Sequence, residues 1–466
     1  MLNLFGLFNL FFVFVVFLEA GSFENFKKRE IHTFREYHNV DDMEFSSYLK
    51  KEWFGYSQEE LLEYYLASKP EFITPSLKTF MKPVGPIFSI RLPKLQKQID
   101  PPLYKPKQSN IKLDFFGTKL WFNSPPISNY VFYPKSKDGV AIFFKNIATS
   151  QYYSLVDSIE KTSKELKLND WAKYLLIKRI AQQIYDDSDR VKLLSWFIFN
   201  KLGYDVKVGL HEKHIVLLFF SEQKVYQTPY YKFGNKNYFV LDNYLKGRLG
   251  LVYTYKKNYP TAKKAFDFSL KTLPLFTKNI RTKTIVFVEN GKEYRIDYKY
   301  NTNIVKFLST YPQVETKIYL QAAFSLNLYR ELASALKKYT REKKASEAIN
   351  FVLHFVQKGF NYKVDEKQFG RQKMMFAQES LHYESSDCED RVVLFSYLIK
   401  HLFGISVVSV KYSDHMVAGL YIPIGGDSIK KGSRKFVIAD PTYVNSNIGQ
   451  GMAKYRGVKP VEVVSY

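Results

Sequence analysis

The chain contains a single cysteine, Cys388, in the run Ser386-Asp387-Cys388-Glu389-Asp390-Arg391. His415 follows at the start of an apolar run, and Asp440 stands in Asp440-Pro441-Thr442-Tyr443. In that order a thiol, an imidazole and a carboxylate are the parts of a nucleophilic triad: the thiolate attacks, the imidazole carries the proton, the carboxylate fixes the tautomer. A lone cysteine cannot form an internal disulfide, so a structural bridge within the chain is excluded. The competing reading is a small buried hydrophobe, the common fate of a free cysteine.

Three elements must bring these groups together. Ser385, Ser386 and Asp387 offer N-caps, and Val392, Phe395, Ile399 and Leu402 recur at helical spacing until Gly404. Ile405 to Tyr412 reads as a strand, Ser413-Asp414 as a turn, and His415 opens a strand over Met416 to Ile422. Gly425-Gly426 turns the chain again, and Phe436 to Ala439 delivers Asp440. The nucleophile then sits at a helix N-terminus, where the dipole and an imidazolium both lower a thiol pKa. Glu389 and Asp390 read as groups that cap the helix or tie Arg391 rather than as catalysts.

Sliding the chain on itself uncovers a second version of the pattern. Asp189 to Val216 aligns without a gap onto Asp390 to Val417 at an offset of 201, with ten identities in 28 positions. They include Arg190/Arg391, Ser195/Ser396, Gly203/Gly404 and His214/His415. Downstream, Tyr238-Phe-Val-Leu-Asp242 echoes Lys435-Phe-Val-Ile-Ala-Asp440. Asp187 stands where Cys388 stands, and a carboxylate cannot be activated as a thiolate is, so the first version is expected to be inert. A duplicated domain with one decayed site is the reading, against chance recurrence of a helix–strand–strand pattern.

These residues resemble the transglutaminase-like superfamily, circularly rearranged relatives of papain-like cysteine peptidases. The resemblance is carried by Cys388-Glu389-Asp390-Arg391 at a helix start, His415 on a strand and Asp440 before Pro441-Thr442. It covers roughly residues 345–450, with a weaker shadow over about 165–245. What it implies is acyl chemistry on amide bonds through a thioester, with Cys388 as nucleophile, His415 as base and acid, and Asp440 as orienting carboxylate. Water as acceptor gives a peptidase or amidase; an amine gives a cross-linking transglutaminase. Papain-like enzymes carry a Gln six residues before the nucleophile, where this chain has His382. The Cys388 backbone N–H is one expected oxyanion donor. Gln378, His382 and Tyr383 are the candidates for the second, with His382 read first as a surface or packing histidine.

Composition bounds the setting. Sixty-nine Lys and Arg against 45 Asp and Glu give a net charge of +24, a field that attracts nucleic acid, anionic lipid or an acidic envelope polymer. The lysines are scattered and no nucleic-acid motif occurs. The expected partners are therefore a protein or peptide substrate and an anionic envelope or membrane surface, not nucleic acid. Leu4 to Leu18 is an apolar stretch of signal-peptide length, followed by the small residues Ala20, Gly21 and Ser22. Its flanks are atypical: no Lys or Arg precedes it, and Lys27-Lys28-Arg29 follow. Export is the expectation, to the periplasm or to a membrane held by this segment. A metal site from His382, Cys388, His415 and Asp440 lacks the paired short spacings of zinc sites, so neither metal nor cofactor is expected. The rival to an enzyme is a non-catalytic peptide- or envelope-binding scaffold of the same fold.

The expected architecture is α+β and multidomain. Residues 1–22 form the export segment and 23–110 a helical, Pro/Lys-rich region. The degenerate copy spans 111–255, a β-rich connector and helix 256–340, and the catalytic copy 341–466. Residues 41–67 read as a helix, Leu113 to Phe122 and Val140 to Phe144 as strands, and Leu166 to Tyr185 as a helix capped by Asn169-Asp170. Asn290-Gly291 between two β runs is a hairpin signal, and Tyr319 to Leu336 and Ala345 to Phe360 read as helices.

Overall fold

The computed structural model describes residues 39–64, 83–90, 92–94, 103, 105–243 and 248–466. The expected export segment and part of the Pro-rich stretch lie outside these residues. Helix and strand are mixed in an α+β arrangement. A helix over residues 39–49 (α1) and strand β1 (Phe54–Tyr56) precede the hairpin β2 (Ile111–Phe115) and β3 (Thr118–Phe122). Four helices follow: α2 (Lys137–Ala148), α3 (Tyr153–Glu165), α4 (Asp170–Ile184) and α5 (Ser188–Lys201). Strands β4 (Val206–His211), β5 (His214–Phe220), β6 (Tyr230–Phe233), β7 (Lys236–Phe239) and β8 (Val252–Thr254) complete the first half. The hairpin β9 (Ile280–Glu289) and β10 (Lys292–Asn301) leads through α6 (Thr302–Leu308), α7 (Thr316–Leu320) and α8 (Leu326–Thr340) to α9 (Ala345–Lys358). Short elements β11 (Asn361–Tyr362), α10 (Asp365–Phe369), α11 (Ala377–Ser380) and β12 (Ser385–Ser386) deliver the chain to α12 (Cys388–Phe403). Strands β13 (Val407–Lys411), β14 (Met416–Leu420), β15 (Ser428–Lys431), β16 (Arg434–Ala439) and β17 (Glu462–Ser465) follow.

The two larger sheets have the same construction. One runs β1-β8-β4-β5-β7-β6, and the other, read in the same sense, β17-β13-β14-β16-β15. Without β1 the orders correspond strand for strand. The registers correspond too: Gly209 lies opposite Val216 as Val410 lies opposite Val417, and Tyr230 opposite Phe239 as Ser428 opposite Val437. Helix α5 packs on β4 and β5, and α12 on β13 and β14. Behind them α4 packs on α5, and α9 on α12. A buried apolar core runs through both halves, from Phe45 to Ile448. Much of the aromatic content is spent there, with Phe45, Phe144, Trp196, Tyr255 and Tyr259 meeting edge to face or tilted.

Several elements differ from the sequence reading, each for a physical reason. The expected helix 41–67 ends at 49, because Phe54-Gly55-Tyr56 pair with β8 instead, and residues 57–64 are irregular. The expected strand Val140–Phe144 is part of α2. Ser136 caps it, accepting from the Asp138 N–H, and Val140, Phe143, Phe144 and Ile147 form its buried face. Helix α4 starts at its Asn169 cap, leaving 166–169 as a turn. Tyr319 to Leu336 is split into α7 and α8 by a break at which Ser325 caps the second helix. The hairpin is as drawn from Asn290-Gly291, both at positive φ. Within the Pro-rich stretch, residues of the second half hold several points: Ile87 bridges to Lys344, Phe88 stacks on Phe403, and Pro93 accepts from Arg330.

Candidate active site

Helix α12 begins under two carboxylates. Asp387 is the N-cap, and Asp390 reaches back to accept from the Asp387 N–H while its other oxygen takes the Met375 N–H at 2.6 Å. Gly404, in the left-handed conformation, ends the helix. The sequence reading of Asp390 as a cap agrees with this geometry, but Arg391 is not tied to its acidic neighbours. Its guanidinium donates to Ser386 Oγ and to the carbonyls of Gln357 and Phe360. Cys388 therefore stands in the first turn with its side chain buried, only 1% exposed.

His415 and Asp440 meet at the ends of neighbouring strands. The 2.9 Å contact runs from His415 Nε2 to Asp440 Oδ2, and both side chains are buried. Asp440 Oδ1 is already committed, accepting the N–H groups of Thr442 and Tyr443 at 2.9 and 3.1 Å. Gln357, on α9, anchors the same loop by donating to the Asp440 carbonyl at 2.9 Å. Because a carboxylate only accepts, Nε2 is the nitrogen that donates in this contact. Tyr455 stacks on the imidazole, with ring centroids 5.1 Å apart and planes 15° from parallel, and donates its hydroxyl to Asp414. That hydroxyl is held protonated by burial, by Asp414 and by the charges of Cys388 and Asp440.

The Cys388 thiol donates to Glu389 Oε2 at 3.2 Å. Glu389 belongs to a buried acidic cluster with Asp365, Asp387 and Asp390. Burial and then mutual repulsion raise the pKa of Asp365, Asp387 and Asp390, and burial raises that of Glu389. Oxygens of Asp365, Asp387 and Glu389 lie within 4.8 Å of one another, an all-oxygen set suited to a hard divalent cation or to shared protons. This set differs from the His382, Cys388, His415 and Asp440 combination weighed from the sequence. Acidic residues flanking the cysteine were a readable signal for it; Asp365, far upstream, and Tyr455, far downstream, carried none.

The oxyanion candidates take different positions. Gln378, on α11, accepts from the Ser325 N–H at 2.9 Å, and its buried Nε2 has no hydrogen-bond partner among the described residues. His382 turns to the β9–β10 hairpin, with Nδ1 2.9 Å from the Tyr300 hydroxyl. Burial, then Lys283 and Arg281, keep its pKa low. Tyr383 packs edge-on against Phe369 of α10. Of the three, Gln378 alone keeps a spare buried amide donor.

In the first half the equivalent groups do not assemble. Asp187 caps α5, accepting from the Arg190 N–H at 2.9 Å. Burial would raise its pKa, but Arg190 holds it below the ordinary value. His214 is exposed, 3.4 Å from Asp189, while Asp242 pairs with Lys192 at 3.3 Å. Lys192 occupies the position of Val393, so a lysine has taken the carboxylate that an imidazole holds in the second half. No family model, curated protein or solved structure matches the chain. Among the described residues no helix is long and apolar enough to cross a membrane.

Proposed function

We propose that the protein is a cysteine-dependent acyl-transfer enzyme acting on amide bonds, of transglutaminase-like fold, with its first half an inert copy. The reading rests on one observation above the rest: the buried 2.9 Å His415–Asp440 pair on the sheet against which α12, with Cys388 in its first turn, packs, where the equivalent pair in the first half is broken.

In this reading the Cys388 thiol turns from Glu389 and gives its proton to His415 Nδ1. The thiolate attacks the amide carbonyl carbon, and the C–N bond breaks as His415 returns the proton to the leaving amine. The thioester left on Cys388 is cleaved when His415 takes a proton from water, the oxygen attacks, and the sulfur leaves and is reprotonated. An amine in place of water gives a new amide. The Cys388 N–H and Gln378 Nε2 are the donors proposed for the oxyanion. The apolar N-terminal segment would export the chain, and the net charge of +24 would hold it near an anionic envelope surface.

Iodoacetamide labelling tests the chemistry. Cys388 should alkylate faster in the intact chain than in His415→Ala, by about tenfold or more. Equal rates would remove the imidazole from the reaction and leave the second reading, a binding scaffold, which the inert first half favours.

A further inference from the structure

Cys388 and His415 are 1% and 2% exposed, so no amide reaches them in this conformation. What lies against them includes a segment from far upstream. Residues 57–64 leave the first sheet, where Gln58 and Glu59 donate backbone N–H groups to the Gly250 and Tyr230 carbonyls. The Leu62 carbonyl then accepts from the Gln227 N–H at 2.8 Å, and the next but one residue, Tyr64, enters the second half. Its side chain is 1% exposed. Lys411 Nζ sits 3.4 Å from the ring centroid, and Tyr226 meets the ring edge-on at 5.2 Å. Lys411 lies opposite Met416, the residue after His415, so the ring sits over the strand pair that carries the imidazole. The hydroxyl is buried without a hydrogen-bond partner among the described residues, and burial first, then nearby negative charge, keeps it protonated.

The walls of this pocket come from α7, from α12, from the end of β13 and from the β5–β6 loop of the inert half. It holds one aromatic ring under the Lys411 ammonium, next to the strand that begins after His415. The strap that fills it is irregular and held to the first half by three backbone hydrogen bonds, so opening it locally is cheap beside unfolding either sheet.

We propose that Tyr64 occupies the subsite meant for the side chain of the acyl donor, so that the enzyme is latent while residues 57–64 are seated and, once they withdraw, accepts a substrate with an aromatic side chain there. The inference rests on the acyl-transfer reading for its chemistry, though not for the occlusion itself. The inert half gains a role in it, since Tyr226 and the backbone partners of the strap belong to that half.

The test uses the full chain with Tyr64→Gly, Tyr64→Leu and Tyr64→Phe, each also carrying His415→Ala. Iodoacetamide should label Cys388 about tenfold faster or more in Tyr64→Gly than in the natural chain, several-fold faster in Tyr64→Leu, and at an unchanged rate in Tyr64→Phe. In Tyr64→Gly, a peptidyl vinyl sulfone with a tyrosine side chain should outpace its alanine counterpart by about tenfold. Unchanged labelling in both Tyr64→Gly and Tyr64→Leu overturns the occlusion, and Tyr64→Leu decides if the glycine variant melts. Faster labelling without preference between the two vinyl sulfones overturns the aromatic subsite. Acceleration that His415→Ala leaves untouched sinks the acyl-transfer reading while the strap stands.

Discussion

Asp440→Asn separates orientation from mere packing, because the two oxygens of Asp440 have different duties. Oδ1 takes two backbone N–H groups, from Thr442 and Tyr443, and Oδ2 takes His415 Nε2. An asparagine must keep its carbonyl oxygen on the two N–H groups, since turning its NH₂ there would set donors against donors. Its NH₂ then faces Nε2, which must become an acceptor, and the imidazole proton moves to Nδ1. The nitrogen needed to take the thiol proton is lost, and an imidazolium is opposed because its Nε2–H would meet the NH₂. Volume and the loop's two hydrogen bonds are kept, so stability should fall by no more than about 1–3 kcal/mol. Turnover should fall by about 10³–10⁴, or about 4–5.5 kcal/mol of barrier. The assay pairs amide cleavage with the pH profile of iodoacetamide labelling, with a thermal melt as control. A variant that melts like the natural chain and reacts at its rate would refute the tautomer argument.

Other expectations follow from the same geometry. His214→Ala should leave labelling and turnover within about twofold, while His415→Ala removes turnover; equal losses would mean the first half is not inert. The cluster of Asp365, Asp387 and Asp390 holds pKa values above those of the unfolded chain. Its contribution to stability is therefore fully present below about pH 4 and declines as pH rises, by about 1.4 kcal/mol per pH unit for each proton retained. Asp387→Asn keeps a good N-cap and should make that decline shallower in urea titrations, because its carboxyl pKa is raised by burial and by the neighbouring carboxylates. An unchanged slope would show that the carboxyl is ionised in the fold. Cell fractionation should recover the protein with membranes or outside the cytoplasm, and a wholly soluble cytoplasmic pool with Met1 intact would end the export reading.

How far the sequence could be read depended on whether each signal was local. The cap, stripe and glycine stop of α12 are all local, and so is Asn290-Gly291 in its hairpin. The repeat was visible because the residues that fix helix start, helix stop and hairpin register keep their spacing over 28 positions. The strand misread within α2 had a local rival, a β-branched and aromatic run, and only burial on one side decides for helix. Long-range partners were invisible. Phe54-Gly55-Tyr56 became a strand through β8, about 200 residues away, and Tyr64, Asp365 and Tyr455 reached the site by folding alone. The pairing of His415 with Asp440 could be expected in advance; the burial of the site and the Cys388–Glu389 contact could not.

The corresponding strands β8 and β17 carry a consequence for the order in which the chain is made. β8 starts at residue 252 and β17 at 462, a difference of 210 residues of synthesis. The first sheet can close, with the seat for residues 57–64 already formed on it, while β13 still has an open edge. Lys411 ends β13 opposite Glu462, so the cation that covers the Tyr64 ring is fixed only when the last strand pairs. On the latency proposed above, the nascent protein would carry its blocking residue before the Cys388 sulfur has a finished pocket. On that reading a newly made copy would be shielded from the time its proposed nucleophile is assembled.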